Sequence, residues 1–203
     1  MPSPSITSDR IAELLIHLGR SSRTVDARSG LTAAQWTCLR FFSRSNRSTR
    51  TPSAFASFHA TTRGTASQIV KSLEERGMIV RCKSRVDGRS TYFNVTEAGA
   101  ASLAQDPLGD LIAALDNLGA SDHAALLSTL SLLTSSLADI RGARAFGTCG
   151  DCAYFVAARG GGYCTCMTSD LAAHEIDLLC ASYRGPDGFD TAREQSAMSD
   201  DKS

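Results

Sequence analysis

Five of the seven cysteines crowd into residues 149–180. Cys149 and Cys152 form a Cys-x2-Cys pair, Cys164 and Cys166 a Cys-x-Cys pair, and Cys180 stands alone. Two residues between thiolates let both point at one ion, with Gly147 and Gly150 easing the turn, and glycines 160–162 permit a sharp reversal before the second pair. In a reducing compartment such a set argues for metal or redox chemistry rather than structural disulfides. Four ligands complete a site, and the spacing predicts Cys149, Cys152 and Cys180 with either Cys166 or Cys164. All-thiolate sets suit zinc and iron–sulfur clusters alike. One Cys-x2-Cys with a solitary last ligand argues against a plain zinc ribbon, so a cluster is favoured, zinc is the alternative, and free redox thiols are a third option. His174 and Glu175 are candidate substitute ligands, expected on a helix and facing solvent. Cys82, in a predicted strand, reads as inert packing.

A second set of residues has the chemistry of nucleic-acid contact. Ala66, Ile69, Val70 and Leu73 recur at helical spacing, which leaves Thr61, Thr62, Arg63, Thr65, Ser67, Gln68 and Lys71 on and around the opposite, polar face. Hydroxyls, an amide and cations reach phosphates and base edges. Thr62 is the expected N-cap and Gly77 the stop, giving a helix of about four turns. Before it, Pro52 to His59 reads as a short helix with Ala54, Phe55 and Phe58 on its apolar face. Two helices so joined are a helix-turn-helix signature. After Gly77 the segments 78–82 and 90–95 are β-prone, with Asp87-Gly88 as turn chemistry. Lys83, Arg85 and Arg89 make the hairpin tip cationic, and Asp87 is expected to pair with an arginine there. Helix-turn-helix plus hairpin predicts a winged helix.

The remaining elements must carry these two sites. Ser8 to Ala27 reads as a helix with Ile11, Leu14, Leu15, Leu18 and Val25 in one stripe, and Leu31 to Phe42 as another, with Thr32 as its cap and Trp36 and Cys38 in the core. Ser43 to Arg50 reads as a polar, cationic link, solvated or touching phosphate. Ala98 to Leu118 is helical but interrupted at Pro107, and Ser121 to Arg144 follows with Ser121 or Asp122 capping. The leucines of these last helices exceed what a winged helix needs for its own core, so a partner subunit is expected to cover them. Ile176, Leu178 and Leu179 read as an apolar helical stretch ending at Cys180.

The run TRGTASQIVKSLEERGMIVR, then DGRS, then NVTEAG from Asn94 to Gly99, resembles the MarR family of bacterial transcriptional regulators over roughly Ser8 to Arg144. The resemblance implies a homodimer on a pseudo-palindromic DNA operator, with the helix from Thr62 in the major groove and the wing beside it. It also implies a first helix in the dimer interface and a small phenolic-type inducer. The predicted fold class is mainly α with a small β-wing, divided into a dimerisation helix (1–30), a winged helix-turn-helix (31–96), dimerisation helices (97–145), a cysteine-rich metal-binding extension (146–184) and a disordered tail (185–203). In that extension the wide cysteine spacing, with Tyr154, Phe155, Tyr163 and Tyr183 nearby, looks similar to high-potential iron proteins, which implies a cluster of the 4Fe-4S type.

Charge agrees with this division. Residues 1–100 hold 15 basic and 7 acidic side chains and residues 101–203 hold 6 and 14, so a net +8 faces a net −8 within a formally neutral chain. The basic half is the one with the helix-turn-helix, as salt-sensitive DNA binding requires. No apolar run reaches the roughly 20 residues of a membrane span and no signal-peptide pattern opens the chain, so a cytoplasmic location is expected. No Ser-His-Asp or phosphate-loop pattern is evident, and the Cys-x2-Cys lies outside any thioredoxin-like unit, so an enzyme, such as a thiol or cluster oxidoreductase, is the disfavoured reading. The expectation is a regulator, a repressor in the first instance, whose operator affinity follows a cysteine-bound centre responding to oxidants, nitric oxide or iron supply. The alternatives are a purely structural zinc clasp with a small-molecule inducer, or a winged helix used only for protein contacts.

Overall fold

A computed structural model describes residues 4–22, 30–83 and 91–185, with side chains from Ser8 onward. Seven helices and seven short strands occur among them. Helices α1 (Pro4–Ser21), α2 (Ala33–Arg44), α3 (Pro52–Phe58) and α4 (Arg63–Glu75) precede the hairpin β1 (Ile79–Lys83) and β2 (Thr91–Val95). Then come α5 (Glu97–Leu103), α6 (Gly109–Asp116) and α7 (Ala120–Ile140). The break between α5 and α6 contains Pro107, whose missing N–H and ring bulk end a helix there.

Local chemistry fixes the helix starts. Thr32 accepts from the Gln35 backbone N–H at 3.2 Å while the Gln35 side chain accepts from the Thr32 N–H at 2.8 Å, a reciprocal capping box. The same Gln35 amide reaches across to Ser72 Oγ at 2.8 Å, tying α2 to α4. Thr51, Thr62 and Thr96 cap α3, α4 and α5 in the same side-chain-to-backbone manner. Helix α7 differs from the expected Ser121 or Asp122 cap: its N-cap is Gly119, with no side-chain bond. Gly77 stops α4 at φ +68°, a left-handed conformation that only glycine adopts cheaply.

The core belongs to the winged helix. Trp36, Cys38, Leu39, Phe41 and Phe42 of α2, Phe55 of α3, Ala66, Val70 and Leu73 of α4, Ile79 of β1 and Phe93 of β2 form one buried cluster. Phe42 and Phe93 stack at 5.7 Å, and Phe41 meets Phe55 at the same separation. The antiparallel register, Ile79 against Val95 through Lys83 against Thr91, turns Ile79 and Phe93 inward. Helices α1, α6 and α7 are the opposite case. Leu14 is 53% exposed, Leu127 64%, Leu132 68% and Ile140 82%, and in α7 only Ala138 is buried.

The cysteine-rich segment carries two further sheets, where the sequence indicated helix before Cys180. Strands β3 (Gly147–Thr148) and β7 (Leu179–Cys180) pair antiparallel, and β4 (Phe155–Ala158), β5 (Gly161–Cys164) and β6 (Ser169–Ala172) form a three-stranded meander. The only helical features here are single 3-10 turns at Cys149–Asp151 and Ala173–Glu175. Three apolar residues within 176–179 are too few to separate a helix period from a strand period, and pairing with β3 decides the matter. Gly162 faces the Phe155 ring so closely that a Cβ would collide with it.

Candidate functional site

Helix α4 presents the anticipated face. Thr62, Arg63, Thr65, Ser67, Gln68 and Lys71 are exposed and Thr61 is half-buried, over a floor of Ala66, Val70 and Leu73. The Thr62 hydroxyl accepts from Thr65 N at 3.1 Å and lies 2.9 Å from the Thr65 hydroxyl, so these two also organise the helix start. Lys71 sits 3.6 Å from Glu75, one turn on, in a solvated pair of little energetic weight. Lys83 is exposed at the end of β1. Arg85, Arg89 and the Asp87-Gly88 turn lie outside the described residues.

One arginine that the sequence reading passed over holds helix and wing together. Arg81 on β1 grips Glu74 of α4 with two nitrogens, at 3.3 and 3.1 Å, and lies over the Phe93 ring at 5.1 Å. The Glu74 carboxylate holds the guanidinium pKa above its ordinary value. A fork-to-fork pair of this kind sets the angle between helix and hairpin.

The five clustered cysteines divide by burial. Cys149, Cys164 and Cys180 are buried, Cys152 is half-buried and Cys166 is exposed. Burial pushes the Cys149 thiol up to about 11, and the charges of Cys180, Cys164 and Cys152 push the same way, so those sulfurs lie within electrostatic reach of one another. Burial, then Cys164, Cys180 and Cys152, raise Cys166 as well. Two of these sulfurs have N–H donors, Met167 N to Cys164 and Ser182 N to Cys180, each at 3.4 Å. The sulfurs are neighbours without converging on one point: among the described residues no group of three His, Cys, Asp or Glu side chains is placed so that it could hold a metal ion. His174 is exposed, and Glu175 turns back to accept from Ala172 N at 3.0 Å.

Within the link 43–50, read from sequence as solvated or touching phosphate, residues 45–49 are the seat of this segment. Ser45, Asn46 and Thr49 are buried. Ser45 bridges to Leu179 in parallel, Asn46 N donates to Leu179 O at 2.9 Å, and Ala181 N donates to Thr49 Oγ1 at 2.8 Å. Phe146 meets Phe58 edge-on at 5.3 Å and Phe41 at 6.1 Å, joining the segment to the winged-helix core. No local periodicity marks the buried residues of 45–50, because their partners lie more than a hundred residues away along the chain.

A helix-turn-helix with a hairpin packed on its second helix defines the class as a winged helix. Residues 29–90 match the model of the MarR family, so this part of the chain is similar to the winged helices of that family. Among solved structures, a MarR family transcription regulator shares the fold with a TM-score of 0.50 at 19% identity, covering 68% of this chain and 97% of its own. S. aureus MepR in a DNA-binding conformation gives 0.52 at 16% identity, covering 64% and 98%. Those proteins are nearly fully spanned while about a third of this chain has no counterpart in them. No curated protein sequence matches. No helix among the described residues is long and apolar enough to cross a membrane.

Proposed function

We propose that the protein is a transcriptional regulator, acting as a homodimer on a pseudo-palindromic DNA operator and acting first as a repressor. The observation that carries this is the polar face of α4, with Arg63, Ser67, Gln68 and Lys71 exposed on a helix whose other side is locked into an aromatic core. Such a face fits the major groove, with the cations of the wing beside it on phosphate or in the minor groove. The uncovered leucines of α1, α6 and α7 fit a two-fold partner, which would set two copies of α4 about 34 Å apart on successive turns of the duplex. Selection from a pool of random DNA duplexes tests this. An inverted repeat should emerge, with affinity falling steeply as salt rises; a pool that remains random with no salt dependence would defeat the proposal.

The second part of the reading concerns the cysteines. In the segment after α7 the buried side chains are cysteines: Cys149, Cys164 and Cys180, without an aromatic or aliphatic core of their own. A unit of about 40 residues with so little apolar burial needs a cross-link to hold it, and metal ligation supplies one. The donor set is all sulfur, with N–H donors on Cys164 and Cys180, which fits zinc or an iron–sulfur cluster. Cys149, Cys152 and Cys180 would hold the group, with buried Cys164 favoured over exposed Cys166 as the fourth ligand, after closure of the turns at 149–152 and 164–167. A cluster would make operator affinity responsive to oxidants, nitric oxide or iron supply; zinc would make the segment a clasp and leave signalling to a small-molecule inducer. Cys149→Ser with Cys152→Ser should abolish metal uptake under either, and abolish the response of DNA binding to oxidant under the cluster reading alone.

A further inference from the structure

We propose that the Arg40–Asp106 ion pair is a lock between the winged helix and the leucine-rich helices α6 and α7, and that it sets the spacing of half-sites the protein accepts on DNA. The proposal rests on the reading of the protein as a dimer on an inverted repeat, and it names the contact that would hold the two copies of α4 in register.

Burial marks the boundary that such a lock must bridge. Helix α5 belongs to the winged helix: Thr96 Oγ1 donates to Gly77 O at 2.6 Å, and Thr96 N donates to Met78 O at 3.0 Å. Gly99 lies so close to the Met78 carbonyl that a Cβ would collide with it. Beyond the break at Pro107 this grip ends. No residue of α6 is buried, only Ala138 of α7 is, and neither helix contributes to the aromatic core.

Asp106 sits in the break and ties three helices together. Its N–H donates to Leu103 O at 3.2 Å, at the end of α5. Its carbonyl accepts from Gly109 N at 2.9 Å and its Oδ1 from Leu108 N at 2.8 Å, at the start of α6. Its Oδ2 lies 2.8 Å from Nε of Arg40 on α2. Helix α2 is itself anchored in the core by Trp36, Leu39, Phe41 and Phe42, and its Gln35 holds α4 through Ser72. The Arg40 and Asp106 side chains are only 20% and 12% exposed, so the pair escapes much of the screening that makes surface pairs weak. Removing one partner leaves the other charge stranded away from water. In a two-fold dimer a rotation at this break acts on both copies of α4 at once and changes their separation along the duplex.

The test uses the full chain on duplexes carrying the selected inverted repeat, with the half-sites at their own spacing or moved apart by two base pairs, about 7 Å along the axis. The wild-type protein should favour its own spacing by about tenfold or more, because a misplaced half-site forfeits simultaneous engagement. Arg40→Leu removes the cation, and Asp106→Asn removes the anion while keeping an oxygen for Leu108 N. Both should reduce the preference to about twofold or less at unchanged affinity for a single half-site, and Arg40→Lys should retain most of it. The asparagine variant carries the test should the leucine variant not fold. A folded variant that discriminates spacing as the wild type does, or one that loses affinity for every duplex alike, would overturn the proposal. If no inverted repeat emerges from selection, the DNA reading fails, and the lock is read without DNA. Exchange of the Gly109 and Ile112 amides should then speed by about tenfold or more in Arg40→Leu and Asp106→Asn, with little change at Ala66 and Val70 in α4. Unchanged exchange at the start of α6 would overturn the lock itself.

Discussion

The winged helix and the cysteine segment are held together by different physics. The first buries Trp36, Phe41, Phe42, Phe55 and Phe93 in one interlocked cluster and caps its helices with threonines. The second, among the described residues, buries cysteines at positions where a self-sufficient domain would bury leucine, and leans on a polar turn of the first. A thiol buries as a small hydrophobe, as Cys38 does in the winged-helix core, but three of them give a segment of this size little apolar stabilisation unless something ligates the sulfurs. The comparison implies that the two regions should lose structure independently, the segment first.

The largest effect is expected in the aromatic core. Phe42→Ala removes a ring stacked on Phe93 and should cost ~3–5 kcal/mol in urea unfolding, a large share of a domain's usual stability. Cys149→Ser with Cys180→Ser should instead abolish metal uptake and resistance of residues 146–184 to proteolysis while leaving the main urea transition nearly in place. A single cooperative loss of both regions would break the comparison. Gly162→Ala, which sets a methyl against the Phe155 ring, should mimic that selective loss without touching a thiol.

On the polar face of α4 proposed to meet DNA, Arg63→Ala and Lys71→Ala should each lower the slope of log affinity against log salt by about one, with folding unchanged. The smallest effect concerns protons. Cys149 is raised to about 11 in the fold, so the unfolded chain, with its thiol near 8.5, releases that proton first. Stability from this group is therefore complete below about pH 8.5 and declines as pH climbs toward 11. The metal-free chain should show a melting temperature that falls modestly across that window, a trend that buried Cys38, also raised by burial, reinforces.

These differences also explain what could be read in advance. The winged helix was legible because its information is local: apolar spacing in α4, Thr62 as a cap, Gly77 as a stop and a β-prone pair after it. The stripe on α1, the break at Pro107 and the polar face from Thr62 to Lys71 follow from the same kinds of pattern. Type and spacing single out the cysteines but not the strands that carry them, because β3 and β7 are two residues each and are defined by pairing. SRSNRSTR was misleading for a physical reason. Ser45 and Asn46 are satisfied within the turn and its neighbouring helix and Thr49 by the distant Ala181 backbone, whereas composition alone reads such a run as solvated. Arg81 was hidden likewise, its partner Glu74 being across an element boundary.

The measurement that tests the account most directly is metal and sulfide analysis, with a visible absorption spectrum, of the full chain purified without oxygen. A coloured protein with iron and sulfide bound in stoichiometric amounts is expected, both lost on replacing Cys149 and Cys152 by serine. A colourless protein with one zinc per chain would keep the cysteine ligation and reduce its role to a clasp. A chain that binds neither metal, with residues 146–184 still resistant to proteolysis, would contradict the claim that ligation holds this region together.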